Sequence, residues 1–335
     1  MKKIYDVIIV GAGPAGLKCA EVLGNSKLKV LLVEKKKIIG LKICGGGLTS
    51  LDSNFKLPID KTLKYKTQYV ILNGNEFKIS LKYPLHIIDR YDLGQYQLGL
   101  VKKYNNIIIK KNILIKKICK KYIITKNNKR LYYKCLVGAD GSTSIVRRYV
   151  GLKNKLYLGI QYKIPKKTKK IVWFFNPKLI KSGYGWIFPH KSFTSAGIFF
   201  NPRHISPKKA KDALNKLLDG YGLDYKNAKF EGSPTNCLFE GFQFGNIFLV
   251  VDAAGLVSAD TGEGIAYALA SGYDVAKHIL DKSYNFDKIK SILKYKKRQE
   301  FFLGVFNKLP FIQSFMFRIF IFFLKFPRFQ NYFGD

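Results

Sequence analysis

Three glycines, Gly11, Gly13 and Gly16, stand at the spacing of a phosphate-cradling turn, and an acid, Glu34, follows about twenty residues later. Chemistry of this kind needs elements on both sides, and the chain supplies them. The apolar run Asp6-Val-Ile-Ile-Val10 leads into Gly11-Ala-Gly13-Pro14-Ala15-Gly16, a helix-like stretch follows, and Val30-Leu-Leu-Val33 ends at Glu34. The glycines allow a tight turn, a close backbone approach to a diphosphate and close helix–strand packing. The helix start offers free N–H groups and a positive dipole end to phosphate. A carboxylate at the end of the second strand can accept both ribose hydroxyls of an adenosine. Gly11, Gly13, Pro14, Ala15, Gly16 and Glu34 are therefore expected to bind a dinucleotide. The Lys2-Lys3 start resembles a secretion signal, but Asp6 interrupts the apolar stretch and the glycine turn falls where its apolar core would be.

Four further motifs carry chemical groups. Two join an acid to small residues: Gly138-Ala-Asp140-Gly141-Ser-Thr-Ser144-Ile-Val-Arg147, and Val251-Asp252-Ala-Ala-Gly255 with Thr261-Gly262-Glu263-Gly264-Ile265 after it. Cys44-Gly45-Gly46-Gly47 lies in a glycine-rich loop from Ile38 to Thr49. Tyr184-Gly-Trp186-Ile-Phe188-Pro189 alternates, so its three aromatics share one face of a strand. Residue by residue, each has a plainer reading: an aromatic strand face is core, a cysteine is a small buried hydrophobe, and Asp260-Thr-Gly-Glu263 is a helix cap.

Composition narrows the class. With 335 residues, 47% of them hydrophobic, the chain can pack two units. The net charge of +37 comes mostly from lysines spread almost throughout, alongside abundant Ile, Asn, Tyr and Phe, so most of it reads as adenine/thymine-rich codon bias over solvated faces; the spread speaks against a dedicated nucleic-acid site and leaves attraction to an anionic surface open. The five cysteines are widely spaced, without metal-ligand spacing or a disulfide framework, which suits a reducing, cytoplasmic compartment; no metal is expected.

The pattern predicts a hairpin about Asn73-Gly74, a helix after Asp92, and a meander from Ile107-Ile-Ile109 through Ile113–Ile115 and Tyr122–Thr125 to Val137. Strands are predicted at Ile171–Phe175, Tyr184–Phe188 and Ser195–Phe200, and a helix near Pro207–Leu218. A buried strand from Asn246 to Asp252 precedes a helix over Gly264–Leu280. An α/β dinucleotide domain made of 1–60, 86–152 and 239–283 is expected, with a β-rich substrate domain from 61–85 and 153–238. Residues 284–335 form a helical end. In its aromatic stretch from Leu309 to Phe326, Ser314, Arg318 and Lys325, extended by Asn307 and Arg328, give a narrow polar stripe. That pattern fits an amphipathic helix in a membrane interface, or one packed on protein.

From residue 1 to about 280 the three ordered acid and glycine motifs resemble the flavoprotein superfamily typified by p-hydroxybenzoate hydroxylase. Lys42-Ile-Cys44-Gly-Gly-Gly47-Leu-Thr49 and Tyr184-Gly-Trp186-Ile-Phe188-Pro189 resemble its geranylgeranyl reductase family. The resemblance implies a Rossmann-like FAD domain with an inserted mixed β-sheet domain. It places Asp140 by the FAD diphosphate, Asp252 on the ribityl chain, and Gly262, Gly264 and Ile265 at the flavin edge; Arg90 matches the family's arginine in type. It sets the Cys44 loop near the flavin ring and Gly45, Gly46, Tyr184, Trp186 and Phe188 around a prenyl chain, with Cys44 and Tyr184 as candidate proton donors. The implied activity is reduction of prenyl C=C bonds at a membrane surface with electrons from NAD(P)H or a ferredoxin. A flavin monooxygenase or a degenerate flavoprotein is the alternative. The chain departs from the family pattern in three places: Val251 stands where a glycine is usual, Ala259 where a proline is, and the Phe-Asp that often follows the arginine is absent after Arg90.

Overall fold

The computed structural model describes residues 3–48, 55–308 and 313–323. Two eight-stranded sheets form its frame. The first is parallel at its centre. Ile4–Val10 lies between Val30–Val33 and Arg130–Gly138, with Ile107–Lys110 beyond the former and Ile247–Leu249 beyond the latter. Central strands of a parallel sheet are covered on both faces, and Val30–Val33 is buried throughout, as its unbroken aliphatic sequence requires. Helices Pro14–Leu23 and Ile265–Leu280 pack against each other.

The second sheet runs in the order Lys229–Asn236, Leu156–Ile164, Thr194–Phe200, Tyr184–Pro189, Val172–Phe175, Leu63–Leu72, Asn75–Ile87, Gly47–Leu48. It is antiparallel except where Val172–Phe175 meets Leu63–Leu72. One face buries Ile187, Ile198 and Phe200 in a core with Ala210, Leu214 and Leu218 of helix Pro207–Tyr221. From the other face Trp186, Phe188 and Phe199 join the core of the first sheet.

The hairpin turns at Asn73 and Gly74, both with positive φ. Three expected boundaries move. Ile107–Lys110 is not part of the meander: helix Arg90–Val101 carries the chain across, so the strand returns parallel to Val30–Val33, and the meander begins at Ile115. That helix starts at Arg90 because the Asp89 side chain accepts from Tyr91 N at 2.7 Å. The last strand stops at Leu249, and Val251–Ala254 is a helical turn, entered through Val251 at φ +41°.

Helix Asp287–Lys308 packs on Ile265–Leu280. Helix Gln313–Phe323 lies on the second sheet, with Ile321 buried against Val70, Leu72 and Ile79, while Phe315, Ile319 and Phe322 are exposed. Of the polar stripe, the Ser314 side chain and Lys325 and Arg328 lie outside the described residues. Among the described residues no helix is long and apolar enough to cross a membrane.

Candidate active site

A cleft of about 600 Å³ opens at the C-terminal ends of the parallel strands, where Val10, Val33, Ala139 and Val251 meet the second sheet. Of the residues singled out from the sequence, Gly11, Gly13, Pro14, Ala15, Glu34, Cys44, Gly45, Arg90, Asp140, Tyr184, Trp186, Asp252, Gly262, Gly264 and Ile265 line it. Gly16, Gly46 and Phe188 stand behind the wall, each for a steric reason. A Cβ on Gly16 would lie 2.0 Å from Gly11 O, and one on Gly46 would lie 2.4 Å from Ile88 O. Phe188 packs edge-on to Trp173, with ring centroids 4.8 Å apart, and lies against Gly47.

One end of the cleft is made of backbone. Gly11 has φ +103°, and a Cβ there would come within 2.2 Å of Ala139 O; at Gly13 a Cβ would meet nothing within 4 Å. The helix from Pro14 begins without a side-chain cap, so its first amides are open to a ligand. Glu34 accepts from Ala12 N and Lys36 N, both at 2.8 Å, which fixes its carboxylate beside the turn. Asp140 accepts from Ser144 Oγ at 2.5 Å and Ile145 N at 2.7 Å. Burial raises its pKa against these bonds, and the carboxylate holds the start of helix Ile145–Tyr149.

Arg147, in the first turn of that helix, is fully buried. It donates to Lys153 O, Ala253 O and Leu238 O and pairs with Glu240 at 2.8 Å, tying the Asp140 motif to the Asp252 motif. Its position in the motif is visible in the sequence; its partners are not.

At the middle of the cleft Asp252 pairs with Lys42 at 3.0 Å. The neighbouring Val251 has its amide donated to Ser271 Oγ at 3.2 Å. Beyond it, Ser258 Oγ accepts from Asp260 N and Thr261 N and donates to Gln299 Oε1. Lys296, buried in the same helix as Gln299, donates to Cys237 O and Val257 O at 2.8 Å and pairs with Glu300. Helix Asp287–Lys308 thus buttresses the 258–264 loop. Lys296 is one of 59 basic residues, and nothing in the local sequence marks it.

The far wall is aromatic. Tyr184 Oη donates to Thr261 O at 2.5 Å, joining the wall to the glycine loop; burial pushes its ionisation well above the usual range. Trp186 Nε1 donates to Ser195 Oγ, Ser195 Oγ to Gln161 Oε1, and Gln161 Nε2 to Glu231 Oε1, at 2.8, 2.8 and 3.0 Å. This chain of side chains fixes the indole plane. A Cβ on Gly45 would be 3.0 Å from Trp186 Nε1, so the cysteine loop sits directly on the ring. Cys44 Sγ accepts from Gly46 N at 3.4 Å. His190, not singled out from the sequence, is 3.0 Å from Gly45 O through Nε2 and stacks on Phe193. Burial pushes its pKa down to about 4, so at neutral pH the ring is neutral and Nε2–H donates to the carbonyl.

The atoms lining the cleft suit FAD. The uncapped helix start, the open face of Gly13 and the fixed Glu34 suit an adenosine diphosphate moiety. Arg90 Nε is buried at the cleft without a hydrogen-bond partner, a donor that an anionic ligand would satisfy. The second uncapped helix start, at Gly264 and Ile265, faces the aromatic end and can receive an electron-rich ring edge. The residues fit.

Known proteins agree with this frame. Residues 2–56 match the Thi4 family. An uncharacterised protein of Methanosarcina barkeri is 30% identical over 309 residues, 84% of this chain and 76% of its own length. Digeranylgeranylglycerophospholipid reductase 3 of Methanosphaera stadtmanae is 28% identical over 331 residues, 88% of this chain and 82% of its own. The crystal structure of a geranylgeranyl bacteriochlorophyll reductase-like protein from Thermoplasma acidophilum superposes with a TM-score of 0.78 at 20% identity, covering 97% of this chain and 92% of that one. With its three ordered motifs brought into a single cleft, the chain belongs to the geranylgeranyl reductase family of FAD-dependent oxidoreductases.

Proposed function

We propose that the protein hydrogenates C=C bonds of geranylgeranyl or other prenyl chains of isoprenoid lipids, working at a membrane surface. The observation that carries the reading is the aromatic wall of Tyr184, Trp186 and Phe199 facing the uncapped helix start at Gly264–Ile265 across one cleft. Relatives named for reduction of such chains support it. Bound FAD, once reduced, would supply the hydride. An isolated alkene has no oxygen to polarise, so the protein must hold the chain close and exclude water. The indole fixed by Ser195 and the cysteine loop resting on it serve both needs. The dipole of helix Ile265–Leu280 stabilises negative charge at its start.

A proton must also reach the second alkene carbon. Tyr184 has its hydroxyl proton on Thr261 O, which favours the Cys44 thiol, at the cleft wall, as the group that holds it. The electrons are proposed to come from NAD(P)H or a ferredoxin, since one dinucleotide fingerprint is present and FAD takes it. Contact with the bilayer is supported by the net charge of +37 and by the exposed Phe315, Ile319 and Phe322 beside Arg318.

The test is a visible spectrum for bound flavin, then dithionite with a geranylgeranyl lipid. A gain in lipid mass by whole hydrogen pairs is expected. Bound flavin without such a gain across several prenyl substrates overturns the activity. Flotation with anionic vesicles is expected as well; failure to float overturns the membrane location.

A further inference from the structure

We propose that Lys42 is a cofactor-binding residue: its ammonium, held by Asp252, neutralises that carboxylate and donates to the diphosphate of the bound dinucleotide. The inference rests on the assignment of the cleft to FAD and adds a ligand to it.

Four observations on one stretch of wall carry it. Lys42 lines the cleft from the loop that leads to Cys44, and its Nζ is 3.0 Å from Asp252 Oδ1. The Lys42 side chain is 36% exposed and that of Asp252 10%, so the pair is open to the cleft. A partly solvated ion pair adds little stability against the cost of ordering a lysine, so the pairing calls for another role. An ammonium carries three donors and Asp252 uses one. A bare Asp252 carboxylate would repel a diphosphate seated at the start of helix Pro14–Leu23, which lines the same cleft; paired with Lys42 it would not.

The backbone gives the second reason. Val251 enters its turn at φ +41° with its N–H donated to Ser271, so that amide is not available to an anion. A side chain can supply positive charge at this part of the cleft instead. Lys42 supplies it, while Arg90, whose Nε has no partner, supplies it elsewhere on the same wall.

The experiment uses full-length protein freed of flavin and titrated separately with FAD, ADP and riboflavin at two salt concentrations. Lys42→Met keeps the apolar stem and removes the charge; Lys42→Arg keeps the charge. The expected result is a loss of at least tenfold in affinity for FAD and ADP in Lys42→Met, with riboflavin affinity unchanged within twofold. FAD binding by Lys42→Met should also depend less on salt, and Lys42→Arg should restore most of the loss. No loss, or an equal loss for FAD and riboflavin with a lowered melting temperature, overturns the proposal, the latter because it marks Lys42 as a strut. A wild-type chain that binds neither FAD nor ADP overturns the cofactor assignment itself, and this inference with it.

Discussion

The two ends of the cleft are built from different materials. At the glycine turn the ligand surface is main chain: the amides of helix Pro14–Leu23, with Gly11 and Gly16 present because side chains would strike Ala139 O and Gly11 O. At the aromatic end the surface is side chain, and its shape depends on a relay of hydrogen bonds from Trp186 to Glu231. A backbone surface tolerates almost no substitution at its glycines. A side-chain surface can be reshaped one residue at a time, which suits the end proposed to meet the substrate.

Substitution can break that contrast. Gly16→Ala puts a methyl 2.0 Å from backbone with no room to yield, and loss of flavin binding by more than about 100-fold is expected, read from bound-flavin absorbance. Near-normal binding would mean that the turn is not rigid. The next effect belongs to the loop between the two ends. The unfolded His190 takes a proton near 6.5 and the folded one near 4, so the unfolded chain binds more protons in between. Stability should fall as pH drops through that window, by up to about 3 kcal/mol. Denaturant melts of wild type and His190→Gln across this range check it, the variant showing the shallower slope.

Trp186→Phe keeps an aromatic ring but removes the donor to Ser195 Oγ, which is left with its bond to Gln161 alone. It should cost about 1–3 kcal/mol of stability and weaken substrate binding while FAD affinity stays within twofold. A matching fall in FAD affinity would show that the two ends are not separable. The smallest effect is expected from Val251→Gly. Relief of a left-handed β-branched residue, worth about 1–2 kcal/mol, opposes the loss of its buried methyls, leaving stability within about 1 kcal/mol of wild type. Flavin affinity should rise a few-fold, measured by fluorescence titration.

Legibility in the sequence followed the same division. The tight turn at Gly11–Gly16 and the place of Glu34 beside it could be read because a close strand–turn–helix imposes a residue type at each glycine, whatever the rest of the chain does. The aromatic strand could be read as one face because period two is local. Gln161, Ser195, His190 and Lys296 could not, since each acts through a partner brought up by tertiary packing: His190 touches Gly45, 145 positions away, and Lys296 touches Cys237, 59 away. The Ile107 run reads as meander from sequence because an apolar tripeptide carries no sign of strand direction. Asp140 was legible as a motif but not in its work, since the sequence does not show that Ser144 and Ile145 already occupy its oxygens.

Arg147 has a consequence for how the chain folds during synthesis. Its guanidinium is fully enclosed, and three of its partners, Leu238 O, Glu240 and Ala253 O, lie 91 to 106 residues later. When the first 150 residues have emerged from a ribosome, most of the parallel sheet is present but this cation has no counterpart, and an uncompensated buried charge is strongly unfavourable. The nascent cofactor half must therefore wait, incompletely closed, until the second sheet has been made and the chain has returned. Assembly is committed late, and a truncation before residue 253 should yield a chain that chaperones retain rather than a small stable domain.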